Sequence, residues 1–194
     1  MILFIYGPRD CGKSAYAEDR ACLIGENRIY LATMKIMDDE GRKRVDKHRA
    51  LRAGKGFITI ECPNTIDSIE LPETEGTQVV LLECVSNLVG NEMFNTGCDN
   101  TTQVSITENS NCDKEHTRKE TGELSDGPKS VQTTVNITLN EIGLLSKRTD
   151  NLVIVSSNYD GEELTMDEGT LNYITALNTV NDKLMQMADE VVRF

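Results

Sequence analysis

Residues 7–14, GPRDCGKS, place two glycines, a lysine and a serine at the spacing GxxxxGK[ST]. This spacing is typical of a loop whose backbone curls around the phosphates of a nucleotide with its N–H groups pointing inward. Lys13 would then reach the terminal phosphates, and Ser14 would be a ligand of Mg²⁺. The alternative is a plain glycine-rich turn. The predicted nucleotide-binding residues of this loop are Gly7, Pro8, Arg9, Asp10, Cys11, Gly12, Lys13 and Ser14.

The same chemistry needs an acidic residue at the end of a buried strand, where it would hold the magnesium shell. Glu83 follows the apolar residues VVLL and is the candidate for that role. The alternative is that Glu83 only begins the next helix, where the partial positive charge of the helix N-terminus favours a carboxylate. We expect the first role, because a phosphate-binding loop needs such a partner.

Residues 38–55, DDEGRKRVDKHRALRAGK, form the most unusual patch of the chain. Arg44, His48 and Arg52 are spaced i, i+4 and i+8, so a helix places them on one face. Flanking cations favour the neutral imidazole, which is a nucleophile, and in so acidic a chain this face would suit a second triphosphate. The acidic start and basic remainder also suit an ordinary solvated helix, in which His48 has no chemical role.

Short apolar runs alternate with helical segments along the chain. A run such as VVLLEC is nearly continuous, as expected of a parallel strand that is covered on both faces. The alternation predicts a mainly parallel, doubly wound α/β sheet with helices on both faces. Together with the loop at 7–14, it predicts a fold of the P-loop NTPase type with the P-loop strand in the interior. The predicted strands are 2–6, 28–33, 57–61, 79–84 and 151–157, and the predicted helices are 13–22, 38–52, 85–94, about 135–145 and one that ends near 187.

The chain has 194 residues, of which 38% are hydrophobic, and this predicts a single domain around one sizeable core. Its formal charge of −12 repels nucleic acid, so an anionic ligand must meet a local cationic patch. No apolar stretch approaches the roughly 20 residues that span a bilayer, and no basic segment precedes the first apolar run, so we expect a cytoplasmic protein without membrane contact. The six scattered cysteines lack a CxxC pair, so we expect buried or loop thiols rather than disulfides or a zinc site.

Residues 95–133 interrupt the alternation, because they are rich in Asn, Thr, Ser, Glu and Gly and contain almost no large apolar residues. Such a segment cannot bury enough surface to offset the entropy lost on ordering it. We therefore expect a mobile surface insertion within the single domain 1–194. The alternative is a lid that orders when a ligand binds. His116 lies in this segment and is given no role.

Several of these motifs, taken in order, resemble one enzyme family. GPRDCGKS, YLAT, DDEGRKRVDKHRALR, FITIE, VVLLECVSNLV and VNDKLMQMADEV look like the matching segments of the adenosylcobinamide kinase/adenosylcobinamide-phosphate guanylyltransferase family of the cobalamin pathway. The resemblance covers most of the chain outside 95–133. It implies a bifunctional transferase that acts on a corrinoid, adenosylcobinamide, with ATP or GTP and Mg²⁺. It also implies a compact homo-oligomer, typically a trimer.

The resemblance further implies roles for single residues. The family's histidine that takes GMP from GTP matches His48, which precedes a basic residue. The family's arginine and T-x-E match Arg52 and the stretch that ends at Glu61, and LLEC supports Glu83 as the magnesium-associated acid. The predicted catalytic residues are His48, Lys13 and Glu83, and the predicted nucleotide-binding residues outside the loop are Arg44, Arg49, Arg52 and Glu61.

The segment SNYDGEELTMDEGTLNYITALNTVN, 157–181, departs from the family pattern. Family members carry N-E-V-G-x-G and a proline here, followed by R-x-F-R-D in the next helix. Asn181, Asp189, Glu190 and Val191 are what remains of the later pattern. The alternative function is therefore a divergent P-loop nucleotide-binding module with partial or no catalysis, or a kinase for another small molecule.

Overall fold

The computed structural model describes residues 1–36, 38–72, 75–94, 127–159 and 166–194. Strands and helices alternate along the chain, and each strand and helix that the sequence predicts is present. The strands are β1 (Ile2–Gly7), β2 (Asn27–Ala32), β3 (Phe57–Glu61), β4 (Gln78–Glu83), β5 (Asn151–Ser157) and β6 (Glu190–Arg193). The helices are α1 (Lys13–Ile24), α2 (Asp39–Arg52), α3 (Val85–Met93), α4 (Val131–Ser146) and α5 (Glu168–Met187).

The six strands form one parallel sheet in the order β3-β2-β4-β5-β1-β6. β1 lies between β5 and β6, which confirms the interior place predicted for the strand that precedes the glycine-rich loop. β4 pairs with β2 on one side and with β5 on the other, so it joins the two halves of the sheet. Because all strands run the same way, the loops after β1, β2 and β4 open at one edge.

Helices cover both faces of the sheet. On one face, α3, α4 and α5 pack against strand residues such as Phe4 and Leu82. On the other face, α1 packs through Ala17 against residues of opposite parity, such as Leu3 and Leu81. Because successive side chains of a strand point to opposite faces, a strand covered on both faces must be apolar throughout. The predicted doubly wound α/β fold is confirmed.

α4 begins at Val131, whereas the sequence pattern places its start near 135. The Ser130 side chain caps the helix by accepting a hydrogen bond from the Thr133 N–H at 3.2 Å. The last three residues of the predicted insertion, 131–133, are therefore helical. Residues 95–126 of that segment, with His116, lie outside the described residues, as do 160–165 in the segment that departs from the family pattern.

The sequence pattern did not predict β6. Its residues are mostly exposed, and they pair in parallel with β1 at the edge of the sheet. A strand in this position needs no continuous apolar run, because it is not covered on both faces.

The cysteines that the structure describes, Cys11, Cys22, Cys62 and Cys84, are free thiols, as predicted. Burial raises the pKa of the Cys62 thiol to about 12, so this cysteine is an inert core residue. Within the described ranges, no helix has both the length and the apolar composition that a membrane span requires.

A buried carboxyl group, Glu141 of α4, lies among acidic neighbours on the face covered by α3 and α4. It is 4% exposed, and its Oε2 has no hydrogen-bond partner among the described atoms. Burial raises the pKa of Glu141 to about 8, and repulsion by Glu92 and Asp67 adds to this. The Thr65 N–H and the Lys129 ammonium, which pairs with Glu92 at 2.9 Å, act weakly in the opposite direction. Burial and the neighbouring carboxylates therefore favour the neutral form of Glu141.

The first prediction concerns the stability that this proton confers. The pKa of Glu141 is above its ordinary value of 4.5 in the folded state, so its contribution is complete below pH 4.5 and is lost as the pH rises through about 8. Glu141→Gln keeps a neutral group in place and should abolish this loss, which is at most about 1.4 kcal/mol per pH unit. Thermal denaturation at pH 5 and pH 9 should show a stabilised variant only at the higher pH.

The exposed Glu26→Gln is the matched control and should leave the difference between pH 5 and pH 9 unchanged. A Glu141→Gln variant that retains the pH profile of the parent protein would contradict the assignment.

Candidate functional site

A cavity of about 450 Å³ lies at the carboxyl edge of the sheet. The glycine-rich loop after β1, the helix α2 and the ends of β2, β4 and β5 bound it. Ligands of open parallel sheets bind at this edge. Gly7 and Pro8 begin the loop without lining the cavity. The other predicted site residues line it together: Arg9, Asp10, Cys11, Gly12, Lys13, Ser14, Arg44, His48, Arg49, Arg52, Glu61 and Glu83.

The loop presents a helix N-terminus to the cavity. Gly12 precedes α1 with φ of 92°, a left-handed conformation that L side chains disfavour, and no side chain caps the helix. The first N–H groups of α1 are therefore not engaged by a capping side chain, and they carry the partial positive charge of the helix dipole. Lys13 is buried, and its ammonium donates to the Pro8 carbonyl oxygen at 2.7 Å across the loop. This arrangement suits an anion.

The Glu83 carboxylate lies beside the loop at the end of β4. Ser14 Oγ donates a hydrogen bond to its Oε1. Its side chain is 10% exposed, and its Oε2 is buried without a hydrogen-bond partner in the part of the chain that the structure describes. A hydroxyl and a carboxylate are hard oxygen donors of the type that Mg²⁺ prefers when phosphates supply further ligands. No three His, Cys, Asp or Glu side chains converge on a common metal position among the described residues.

Thr33, fully buried after β2, fixes the end of β4. Its hydroxyl donates to the Cys84 carbonyl oxygen and accepts from the Cys84 N–H, each at 2.8 Å, and its own N–H donates to the Glu83 carbonyl oxygen at 3.0 Å. The Asn91 amide of α3 donates to the Thr33 carbonyl oxygen at 2.7 Å. The peptide bond between Glu83 and Cys84 is cis. The hydrogen bonds of Thr33 and Asn91 hold the backbone from which the Glu83 carboxylate projects.

The His48 imidazole projects from α2 toward the same carboxylate. Its Nδ1 lies 3.9 Å from Glu83 Oε1, which is within ion-pair range but too long for a hydrogen bond. The nitrogen is buried and has no hydrogen-bond partner among the described residues, while the side chain as a whole is 31% exposed. Turned toward a carboxylate, Nδ1 would carry the proton and Nε2 would present its lone pair. His48 therefore faces the Glu83 carboxylate from the side of α2.

Three arginines of α2, Arg44, Arg49 and Arg52, reach the cavity, but each already has a partner. Arg44 pairs with Glu40 on the same helix, and Arg49 donates to Glu61 Oε1 at 2.6 Å. The Arg52 guanidinium is buried and stacks on the Tyr30 ring, 3.4 Å from its centroid. The sequence pattern predicted a histidine between two guanidinium groups on one face of α2. In the structure, a carboxylate approaches the imidazole, and the cations are partly neutralised.

Sequence reasoning missed three residues of this site. Tyr30 supports Arg52, and burial raises the pKa of its hydroxyl well above the usual value. Thr33 and Asn91 hold the end of β4. Tyr30 and Thr33 both belong to the YLAT motif of the family resemblance, which was the signal that could have drawn attention to them. Asn91 lies within a helix, where its long-range partner cannot be read from local spacing.

The parallel sheet, with its glycine-rich turn between the first strand and the first helix, defines a P-loop NTPase-like α/β protein. Comparison with known proteins narrows this class. The chain belongs to the cobinamide kinase / cobinamide phosphate guanyltransferase family, whose model matches residues 3–194. The family predicted by resemblance is confirmed.

Two curated relatives share the same description, bifunctional adenosylcobalamin biosynthesis protein CobU. The protein of Escherichia coli (strain K12) is 36% identical over 101 residues, which are 51% of this chain and 54% of the relative. The protein of Salmonella typhimurium (strain LT2) is 32% identical over 102 residues, 52% of this chain and 54% of the relative. The matched stretch thus spans about half the length of each curated relative.

The second prediction concerns Asp10, an acidic residue within a loop that suits anions. Asp10 lines the cavity and has φ of 55°, in the left-handed region. Its charge should repel phosphates, so Asp10→Asn, which tolerates the same φ, should tighten nucleotide binding about three- to tenfold at low salt. Titration calorimetry with a magnesium nucleotide measures the change.

Asp46→Asn on the exposed side of α2 removes the same charge away from the cavity and is the matched control. Equal tightening in both variants would mean that net charge, and not the place of Asp10, sets the affinity.

Proposed function

We propose that this chain is a nucleotide-dependent adenosylcobinamide kinase and adenosylcobinamide-phosphate guanylyltransferase in which His48 carries GMP. One observation carries the proposal: a single carboxylate oxygen, Glu83 Oε1, accepts a hydrogen bond from Ser14 and lies 3.9 Å from His48 Nδ1. The residues suited to each of the two reactions therefore share one cavity. The family match and the names of the two curated relatives support the choice of substrate.

In the kinase reaction, the glycine-rich loop holds the phosphates of ATP or GTP. The N–H groups at the start of α1 bind phosphate oxygens, and the Lys13 ammonium exchanges the Pro8 carbonyl oxygen for the β- and γ-phosphates. Ser14 and Glu83 would hold Mg²⁺, which neutralises charge on those phosphates when bound. The aminopropanol hydroxyl of adenosylcobinamide attacks the γ-phosphorus and releases its proton to solvent, and the bond to the β-phosphate oxygen breaks, so the nucleoside diphosphate leaves. The chain contributes position and charge neutralisation.

In the guanylyltransferase reaction, His48 Nε2 attacks the α-phosphorus of GTP. The N–P bond forms as the bond to pyrophosphate breaks, and Glu83 stabilises the positive charge that develops on the imidazole. Arg49 and Arg52, beside His48 on the cavity wall, balance the charge of the departing pyrophosphate. A phosphate oxygen of adenosylcobinamide phosphate then attacks the same phosphorus and releases His48. GMP leaves the protein joined to the corrinoid phosphate.

The third prediction tests the phosphate site. Lys13→Ala removes a point charge from the β- and γ-phosphates and one bond to the Pro8 carbonyl oxygen, so nucleotide binding should be lost while the melting temperature changes little. Calorimetry with Mg·ATP and Mg·GTP and a thermal melt measure both. Lys183→Ala, exposed on α5, is the matched control and should bind as the parent does. Undiminished affinity in Lys13→Ala would overturn the assignment of the loop.

The fourth prediction tests His48. GTP labelled in its α-phosphate should transfer label to the protein in the presence of Mg²⁺, through a phosphoramidate that is labile to acid and stable to alkali. His48→Asn should abolish labelling and leave Mg·ATP binding at the loop largely unchanged. The chain has one other histidine, so His116→Asn is the matched control and should retain labelling.

Two results would redirect the proposal. If the parent protein binds GTP but takes up no label, the chain is a divergent P-loop nucleotide-binding module without guanylyl transfer. If it hydrolyses or transfers the γ-phosphate but turns over no adenosylcobinamide, it is a kinase for another small molecule.

A further inference from the structure

Residues 190–194, the β6 brace, pack against the glycine-rich loop on the side away from the cavity. They continue the pairing of β6 with β1, in which Arg193 lies beside Tyr6 and the Phe194 N–H donates to the Tyr6 carbonyl oxygen at 2.9 Å. None of these five residues lines the cavity. Any effect that they have on a bound ligand must therefore pass through the loop or through α1.

Phe194 of the brace lies close to the Gly7 backbone. A Cβ added to Gly7 would lie 2.7 Å from Phe194 Cβ, closer than carbon atoms in contact can lie, and also 3.1 Å from the Phe194 carbonyl oxygen. The backbone of Gly12 is in the left-handed region, which by itself favours glycine. The backbone of Gly7 is not in that region. The first glycine of the motif is therefore required by the approach of Phe194. The brace occupies the place where a side chain of residue 7 would be.

The brace also contacts α1 at two residues, Tyr16 and Arg20. The Phe194 ring meets the Tyr16 ring edge-on, with centroids 5.4 Å apart. Glu190 accepts two hydrogen bonds from the Arg20 guanidinium, each 2.8 Å long, and Arg20 also donates to the Tyr16 hydroxyl at 2.9 Å. Arg20 lowers the pKa of the Glu190 carboxyl, so this pair is ionised at neutral pH. Phe194 therefore contacts Tyr16 directly, and Glu190 contacts it through Arg20.

Tyr16 connects these contacts to the phosphate-binding groups. It lies in the first turn of α1, and its N–H donates to the Gly12 carbonyl oxygen at 3.1 Å. Lys13 and Ser14 lie between these two residues, within the same turn. A displacement of Tyr16 therefore moves the lysine ammonium and the serine hydroxyl together, because a helical turn shifts as a unit.

We propose that Phe194, with the Arg20–Glu190 pair, is a positioning element that sets the geometry of the glycine-rich loop for phosphate binding. This inference rests on the proposed function, since it assigns the brace to the same nucleotide site. Phe194 fixes the start of the loop at Gly7 and the start of α1 at Tyr16, so the N–H groups between them are held at a fixed spacing. An error of about 1 Å in such a spacing can cost about a hundredfold in a reaction that depends on alignment.

The experiment separates positioning from simple stabilisation. Phe194→Ala removes the ring, Phe194→Tyr retains it, and Val191→Ala, on the same strand and 41% exposed, is the matched control that makes no ring contact with α1. The dissociation constants for Mg·ATP and Mg·GTP are measured by calorimetry, and each variant is melted thermally. We expect Phe194→Ala to bind about tenfold more weakly, with Phe194→Tyr close to the parent and Val191→Ala unchanged.

The outcomes are distinguishable. A parent protein that binds neither nucleotide overturns the proposed function and the positioning role together. A parent that binds, with Phe194→Ala binding equally well, overturns the positioning role alone. A loss of affinity in Phe194→Ala that Val191→Ala reproduces at an equal drop in melting temperature assigns the brace to stability and also overturns it.

A second set of variants covers the case in which Phe194→Ala does not fold. Arg20→Gln breaks the paired hydrogen bonds to Glu190 at a half-exposed position and should weaken binding by a smaller factor. Gly7→Ala should weaken nucleotide binding strongly. In the double variant Gly7→Ala with Phe194→Gly, which lacks the opposing Cβ, the loss of affinity should be smaller than the product of the two single losses. Multiplicative effects would show that Gly7 and Phe194 act independently and would contradict the proposal.

Discussion

The geometry of the cavity depends on one carboxylate. Glu83 stands at the end of the central strand β4, and the hydrogen bonds of Thr33 hold its backbone from both sides. Its Oε1 meets the Ser14 hydroxyl of the glycine-rich loop and faces the His48 imidazole of α2. A carboxylate that is only 10% exposed is stable only where hydrogen-bond donors or cations surround it. Ser14 of the loop and His48 of α2 therefore approach the same carboxylate from two sides.

α2 is held in this position by polar contacts more than by apolar packing. Gly41 and Arg52 are its buried residues, and neither core cluster includes a side chain from it. Arg52 stacks on Tyr30 at one end, and Asp38 caps the other by accepting from the Gly41 N–H at 2.7 Å. Ion pairs and stacked cations depend on the charge around them. An anionic ligand would therefore act on the contacts that fix α2 as well as on its cationic side chains.

The sequence predicts the central sheet and most of the site because both leave local signals. Continuous apolar runs mark β4 and β5, and the spacing of Gly7, Gly12 and Lys13 marks the loop, so element positions follow within a few residues. β6 left no such signal, because an exposed edge strand is specified by its partner β1 and not by its own composition. The approach of Glu83 to His48, the stacking of Arg52 on Tyr30 and the contact of Phe194 with Gly7 join residues far apart in sequence. Such contacts follow from topology and packing, which local spacing does not encode.

The strand order has a consequence for how the cavity comes into being as the chain folds. β1 and β2 follow one another in sequence but are separated in the sheet by β4 and β5, so the loop of β1 and the helix α2 take their places in the sheet only when both of these strands are paired between them. Ser14, His48 and Glu83 are brought together by this non-local pairing, and non-local pairing of parallel strands is slow compared with the formation of local contacts. A partly folded chain that lacks β4 has the glycine-rich turn but no acidic partner for it. A ligand that contacts both would bind only the fully assembled sheet, and by mass action it would draw the folding equilibrium toward completion.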